Sequence, residues 1–269
     1  ALRPTIGVVD PNNTRSLPRM VAACSGLDVL SHALESLTAL PYSQREAAED
    51  PAYRPAYQGS NPISDVWSLQ ALRMVNQYLV RAAEDPADDE ARAAMILAAS
   101  YAGVGFGNAG VHLPHGMSYP VSGHVRKYIA PGYQNDHALV PHGFSVILNA
   151  PAVFRYTASA NPERHLEAAA ALGVDITKIC KPDAGKVLAE RITWFMQRLG
   201  VPNGLRDVAV RGHGKMEPKD PAGMERAACV SVPPSQRSKR DTRHCPTPTK
   251  SARAKAITSM HPSGALSSS

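Results

Sequence analysis

The chain has 269 residues, 43% hydrophobic and 19% charged, with a formal charge of +6 and a pI near 9.2. That apolar content excludes a wholly disordered chain, and no apolar run approaches the roughly 20 residues of a membrane-spanning helix. Four cysteines without a CxxC pair do not describe a disulfide-stapled secreted scaffold, and the basic excess sits at one end: residues 206–269 hold 12 Lys or Arg against five Asp or Glu, the first 205 hold 17 against 18.

In chain order, residues 5–10 (TIGVVD) read as a short apolar strand entering a turn at Pro11-Asn12-Asn13. A strand with no partners in its own chain marks residues 1–12 as a remnant and linker of something larger. Between 20 and 40 the apolar residues Val21, Leu27, Leu30, Leu34 and Leu37 trace a helix face that ends before Pro41. Residues 41–60 form a polar, Pro-bearing excursion. Asn61-Pro62 then opens a second helix, with an N-cap residue, Pro in the first turn and Asp65 near the positive helix end. An Ala-rich third helix is predicted over about 87–104, running into a glycine turn at 105–110. A short segment to Pro120 and a long loop follow. Helices are predicted over 142–157, 162–172 and 183–199. Residues 13–205 thus read as an all-α body. From 206 onward apolar periodicity gives way to Pro, Ser, Arg, Lys and Thr, the texture of a basic, low-order tail. Its most basic stretch, 235–243, has no interleaved aromatics, so a solvated tail is expected and no specific nucleic-acid partner.

Ten histidines are present, and His112, His115, His137 and His142 are among those that fall within about thirty residues. Asp28 and His32 are four apart, hence on one helix face, where a carboxylate oxygen and an imidazole nitrogen can converge. The pair is open to two readings, an intrahelical hydrogen bond or half of a divalent metal site. His115 and His142 each sit in a Pro-His-Gly unit, in which Pro sets the incoming backbone and Gly permits a tight turn or close approach. They are either capped loop histidines or further ligands. One carboxylate and three imidazoles suit Fe2+ or Zn2+ acting as a Lewis acid on an alcohol or carbonyl oxygen. His112 reads as packing beside this set, and His137 and His165 as exposed residues.

Four separated stretches carry a resemblance: 26–35 (GLDVLSHALE), 106–112 (FGNAGVH), 115–120 (HGMSYP) and 141–143 (PHG). Taken in order over residues 4–205, they are similar to the iron-containing alcohol dehydrogenase family. Residues 60–65, the excursion before them and Tyr119 resemble its hydroxyacid–oxoacid transhydrogenase branch. The resemblance implies a helical metal-binding domain with the metal held by Asp28, His32, His115 and His142. It places Phe106 near the substrate and nicotinamide, and puts Tyr119 where many relatives carry a His suspected of relaying a proton. It further implies NAD as cofactor, small hydroxyacid and oxoacid substrates (4-hydroxybutyrate and 2-oxoglutarate), a mitochondrial location, a possible homo-oligomer, and neither membrane nor nucleic acid as partner. The family's dinucleotide-binding domain precedes this helical part, and no Gly-rich phosphate turn leading into a helix occurs here. The chain is therefore expected to be incomplete, with little activity by itself. The alternative expectation is an inactive metal-binding helical module, or a partner of an intact subunit.

Overall fold

A computed structural model describes residues 6–208; the basic tail expected from 206 falls almost wholly outside them. The described residues contain eight α-helices and no β-sheet, in agreement with an all-α body. α1 (Arg19–Thr38) is the axis. Leu27, Leu30, Leu34 and Leu37 are fully buried on it, each stabilising the fold by about 1.5–3 kcal/mol. It packs against α2 (Pro62–Glu84) and α3 (Asp89–Ala109) on one side. On the other it meets α5 (His142–Ile147) and, less extensively, α4 (Leu113–His124). α6 (Ala150–Thr157), α7 (Pro162–Ala171) and α8 (Ala184–Leu199) complete the bundle, α8 lying against both α6 and α7. No single described helix is long and apolar enough to cross a membrane.

The start of α2 follows its local signals: the Asn61 side chain accepts from the Ser64 N–H at 3.0 Å, and Pro62 begins the helix. Four expectations need correction. Residues 6–10 form no strand and leave Ile6 and Val8 exposed, because extended backbone needs a partner ladder and none lies beside it among the described residues. α3 does not stop near Val104 but runs through Gly103, Gly105 and Gly107 to Ala109. At Gly105 a side chain would collide with the Ser68 hydroxyl of α2, so the glycine lets the two helices close up. The helix breaks only at Gly110, whose φ of +93° is left-handed backbone pressed against Tyr57.

The segment after Gly110 is itself a helix, α4, despite its Pro and Gly content. The helix predicted over 142–157 is two, α5 and α6. Pro151 supplies no N–H, and its ring would clash with the carbonyl four residues back, so the chain breaks at Leu148-Asn149 and restarts with Pro in the first turn. The excursion 41–60 folds back onto the end of α3: Gln58 N–H donates to Asn108 O at 2.7 Å and Gly59 N–H to Ala109 O at 3.1 Å.

Candidate metal centre

Asp28 and His32 sit one turn apart on α1, His115 in the first turn of α4, and His142 at the start of α5. One ligand atom from each of Asp28, His32 and His115 lies within 4.8 Å of the others. His142 Nε2 is 3.7 Å from Asp28 Oδ1, at the rim, with its side chain about half exposed. The four residues singled out by sequence therefore meet at one point, three tightly and one at the edge.

Local structure determines which atoms face inward. The His32 Nδ1–H donates to the Asp28 carbonyl, one turn back, at 2.9 Å, leaving Nε2 bare. The Phe106 ring stacks on the His32 imidazole, centroids 4.1 Å apart and planes 28° off parallel. His142 reaches α1 because Gly143 lies directly on it: a side chain there would overlap the Cys24 carbonyl. Tyr119, one turn along α4 from His115, is 72% exposed.

Sequence reasoning missed Glu35. It is fully buried on α1, and its Oε1 accepts from the His115 ring Nδ1 at 2.6 Å. Its Oε2 accepts from the His112 backbone N–H at 2.6 Å and, more loosely, from that of His115 at 3.5 Å. Asp28, His32 and Glu35 stand at i, i+4 and i+7, a spacing that marks one helix face and is the signal that could have found it. His112 packs, as expected: its ring meets Phe154 edge-on, and its Nε2 lies 2.9 Å from the Thr38 hydroxyl. His137 is exposed against Asp136. His165 is not exposed; it is buried, with Nδ1 donating to Asn161 O at 2.8 Å and Nε2 3.0 Å from the Thr157 hydroxyl. Its amphipathic helix turns that face inward toward Phe154.

The electrostatics are those of a packed charge cluster. Burial works to raise the Asp28 carboxyl, but the adjoining His115 ring and the charges of His32, His142 and His115 hold it below the ordinary carboxylate range. Burial also works against a charged His115, yet Asp28 and Glu35 on its two nitrogens carry it up to about 9. Burial lowers His32 and His112, outweighing the carboxylates near each.

Two atoms at the centre of this cluster, Asp28 Oδ1 and His115 Nε2, are buried and have no hydrogen-bond partner. Buried polar atoms are normally satisfied, so a carboxylate oxygen and a ring nitrogen aimed at one point fit a shared cation, which would take the place of the ring's second proton. With one carboxylate and three imidazoles, the donor set matches Fe2+ or Zn2+ chemistry.

Fold and donor set together describe a helical unit with a candidate metal site. The model of the Fe-containing alcohol dehydrogenase family, C-terminal part, matches residues 52–242, and the chain belongs to that family. This match extends past Leu205, where the motif resemblance ends. Among curated relatives, the mitochondrial hydroxyacid-oxoacid transhydrogenase of Xenopus tropicalis is 58% identical over 209 residues, covering 77% of this chain and 45% of that protein. Of solved structures, a 1,3-propanediol oxidoreductase is similar with a TM-score of 0.61 at 28% identity, covering 75% of this chain and 45% of that one. The iron-containing alcohol dehydrogenase of Thermococcus thioreducens has a TM-score of 0.58 at 27% identity, covering 77% and 44%. The chain spans about half the length of the curated relatives it matches.

Proposed function

We propose that Asp28, His32, His115 and His142 hold a divalent metal, Fe2+ or Zn2+, in the catalytic half of a mitochondrial hydroxyacid–oxoacid transhydrogenase. The observation that carries this reading is the pair of orphaned atoms, Asp28 Oδ1 and His115 Nε2, buried at the convergence of the four side chains. When bound, the cation supplies Lewis-acid polarisation of an alcohol or carbonyl oxygen. The protein's own groups do the rest. Glu35 orients His115, and the Asp28 carbonyl orients His32. Phe106 covers one face of His32 with an apolar ring, which limits water there and offers a flat surface to a nicotinamide. Tyr119, exposed one turn beyond His115, is the candidate to pass a proton to or from the substrate oxygen.

In this reading NAD binds in the domain that the family places before the helical part. Bound there it would supply the hydride acceptor and donor for exchange between a hydroxyacid such as 4-hydroxybutyrate and an oxoacid such as 2-oxoglutarate. The relatives' printed activity and the family membership support it. The test is exchange between those two substrates by the polypeptide extended to the relatives' full length, with Asp28→Asn and His115→Ala beside it. Exchange that falls by orders of magnitude in both variants agrees with the proposal; unchanged exchange in either rejects the metal assignment. The 269-residue chain alone is expected to bind metal without turnover, as a metal-binding helical module would; exchange at an ordinary enzyme rate from it would overturn that expectation.

A further inference from the structure

Glu35 contacts no orphaned atom of the centre, yet three hydrogen bonds run from it to the element that carries His115. Its Oε1 takes the His115 ring Nδ1–H at 2.6 Å. Its Oε2 takes the His112 N–H at 2.6 Å and that of His115 at 3.5 Å. His112 is the N-cap position of α4, and no side chain of its own caps that helix. Glu35 therefore performs, from α1, the capping that α4 lacks, and the same carboxylate clamps the ring projecting from the first turn.

We propose that Glu35 is the positioning residue of the metal centre: it sets both the place of His115 and the nitrogen that His115 offers. The inference rests on the metal reading above. With a cation in place of the proton on the side of Asp28, the imidazole carries one proton, and a carboxylate has only acceptors, so Glu35 holds that proton on Nδ1 and leaves the Nε2 lone pair to the site beside Asp28. The alternative tautomer would place a hydrogen where the cation must sit. Glutamine at this position has one acceptor and one donor. Its oxygen satisfies the His112 N–H and its amide N–H then points at Nδ1, which drives the ring proton onto Nε2. Shape and volume are kept while the presented nitrogen is reversed.

The experiment titrates the metal-free 269-residue chain, wild type and Glu35→Gln, with Co2+ while following its ligand-field absorption. Thermal unfolding of both metal-free chains and histidine side-chain 15N spectra of the Zn2+-saturated wild type accompany it. The expected result is an affinity lower by about 10–100-fold in Glu35→Gln, with the wild-type His115 protonated at Nδ1 and metal-shifted at Nε2. Equal Co2+ affinity in the two folded chains overturns the role of Glu35 and leaves the metal reading standing. No Co2+ binding by the wild type overturns the metal reading, and this inference with it. If Glu35→Gln does not fold, the wild-type spectrum decides: metal on Nδ1 of His115 overturns the proposal, and metal on Nε2 with a hydrogen-bonded Nδ1–H upholds it.

Discussion

His115 Nε2 lies 3.4 Å from Asp28 Oδ1, and neither buried atom has a hydrogen-bond partner. A cation between them satisfies both, whereas the folded chain without one carries two unsatisfied buried groups. Divalent metal should therefore stabilise the fold by mass action, by about 2.7 kcal/mol when free metal stands 100-fold above its Kd. Thermal unfolding with and without Zn2+ measures this. Asp28→Asn should abolish the gain, because an amide neither neutralises the cation nor matches a carboxylate as its ligand. A metal-induced rise in Tm that survives the substitution would place the binding site elsewhere.

Phe106 and His32 make a second prediction. The stacked Phe106 ring, with the tilted His115 ring 4.2 Å away, packs on the His32 imidazole and helps hold it to its Nδ1–H···O contact. Such pairs contribute about 0.5–1.5 kcal/mol beyond area burial. Phe106→Ala should weaken metal binding by that amount, about 2–10-fold, through greater freedom of His32. Phe106→Tyr, which keeps the ring, should restore it. Calorimetric titration with Zn2+ distinguishes the three chains; an alanine variant that binds like wild type would make the stacking incidental.

Local signals made α2 and α8 legible, because Asn61-Pro62 and the apolar spacing of each helix act within a few residues. They also drew attention to Asp28 and His32 on one helix face and to the two Pro-His-Gly units, but left a hydrogen-bonded pair and capped loop histidines open as readings; the proposed four-residue ligand set came from the motif resemblance. α4 was illegible for the opposite reason. Pro114, Gly116, Pro120 and Gly123 all argue locally for a loop, and the cap that starts the helix comes from Glu35, 77 residues earlier at its His112 contact. Glu35 reads as a solvated helix glutamate unless its place seven residues after Asp28, on the same helix face, is weighed. The apparent strand at 5–10 shows the converse, since β-type residues specify no ladder without a partner.

His165 carries a pH dependence whose sign follows from its burial. Burial lowers its pKa below the ordinary 6.5, so the folded chain keeps it neutral while the unfolded chain takes up a proton as the pH falls through that value. Stability from this residue is complete above the unfolded pKa and is lost as acidification proceeds toward the folded one. Tm of the wild type should fall on going from pH 7 to pH 5, and His165→Gln, which cannot titrate, should show a shallower fall despite a lower Tm at pH 7. His32 and His112 are lowered by burial as well and slope the same way, whereas His115, raised to about 9, slopes the opposite way, so the comparison of wild type with variant isolates His165. An identical slope in the variant would mean that His165 titrates alike in both states.

Gly143 tests whether helix approach, rather than ligand chemistry alone, assembles the centre. A Cβ at this position would overlap the Cys24 carbonyl oxygen and come within 3.1 Å of Asp28 Cβ, and neither can retreat, since both belong to the central helix α1. Gly143→Ala must then push α5 outward. Overpacking of this kind costs about 1–3 kcal/mol, read as a lower denaturation midpoint at unchanged m-value. His142 is the residue immediately before it and the proposed ligand at the rim, 3.7 Å from Asp28, so the same displacement carries it away from the other three. Metal affinity should fall along with stability. Gly116, which follows His115, is the control: a Cβ there meets nothing within 4 Å, and an interior helix position favours Ala over Gly by about 1 kcal/mol. Gly116→Ala should leave metal binding intact and raise stability slightly. If both alanine variants bound metal as the wild type does, close packing of α5 on α1 would not be what delivers His142.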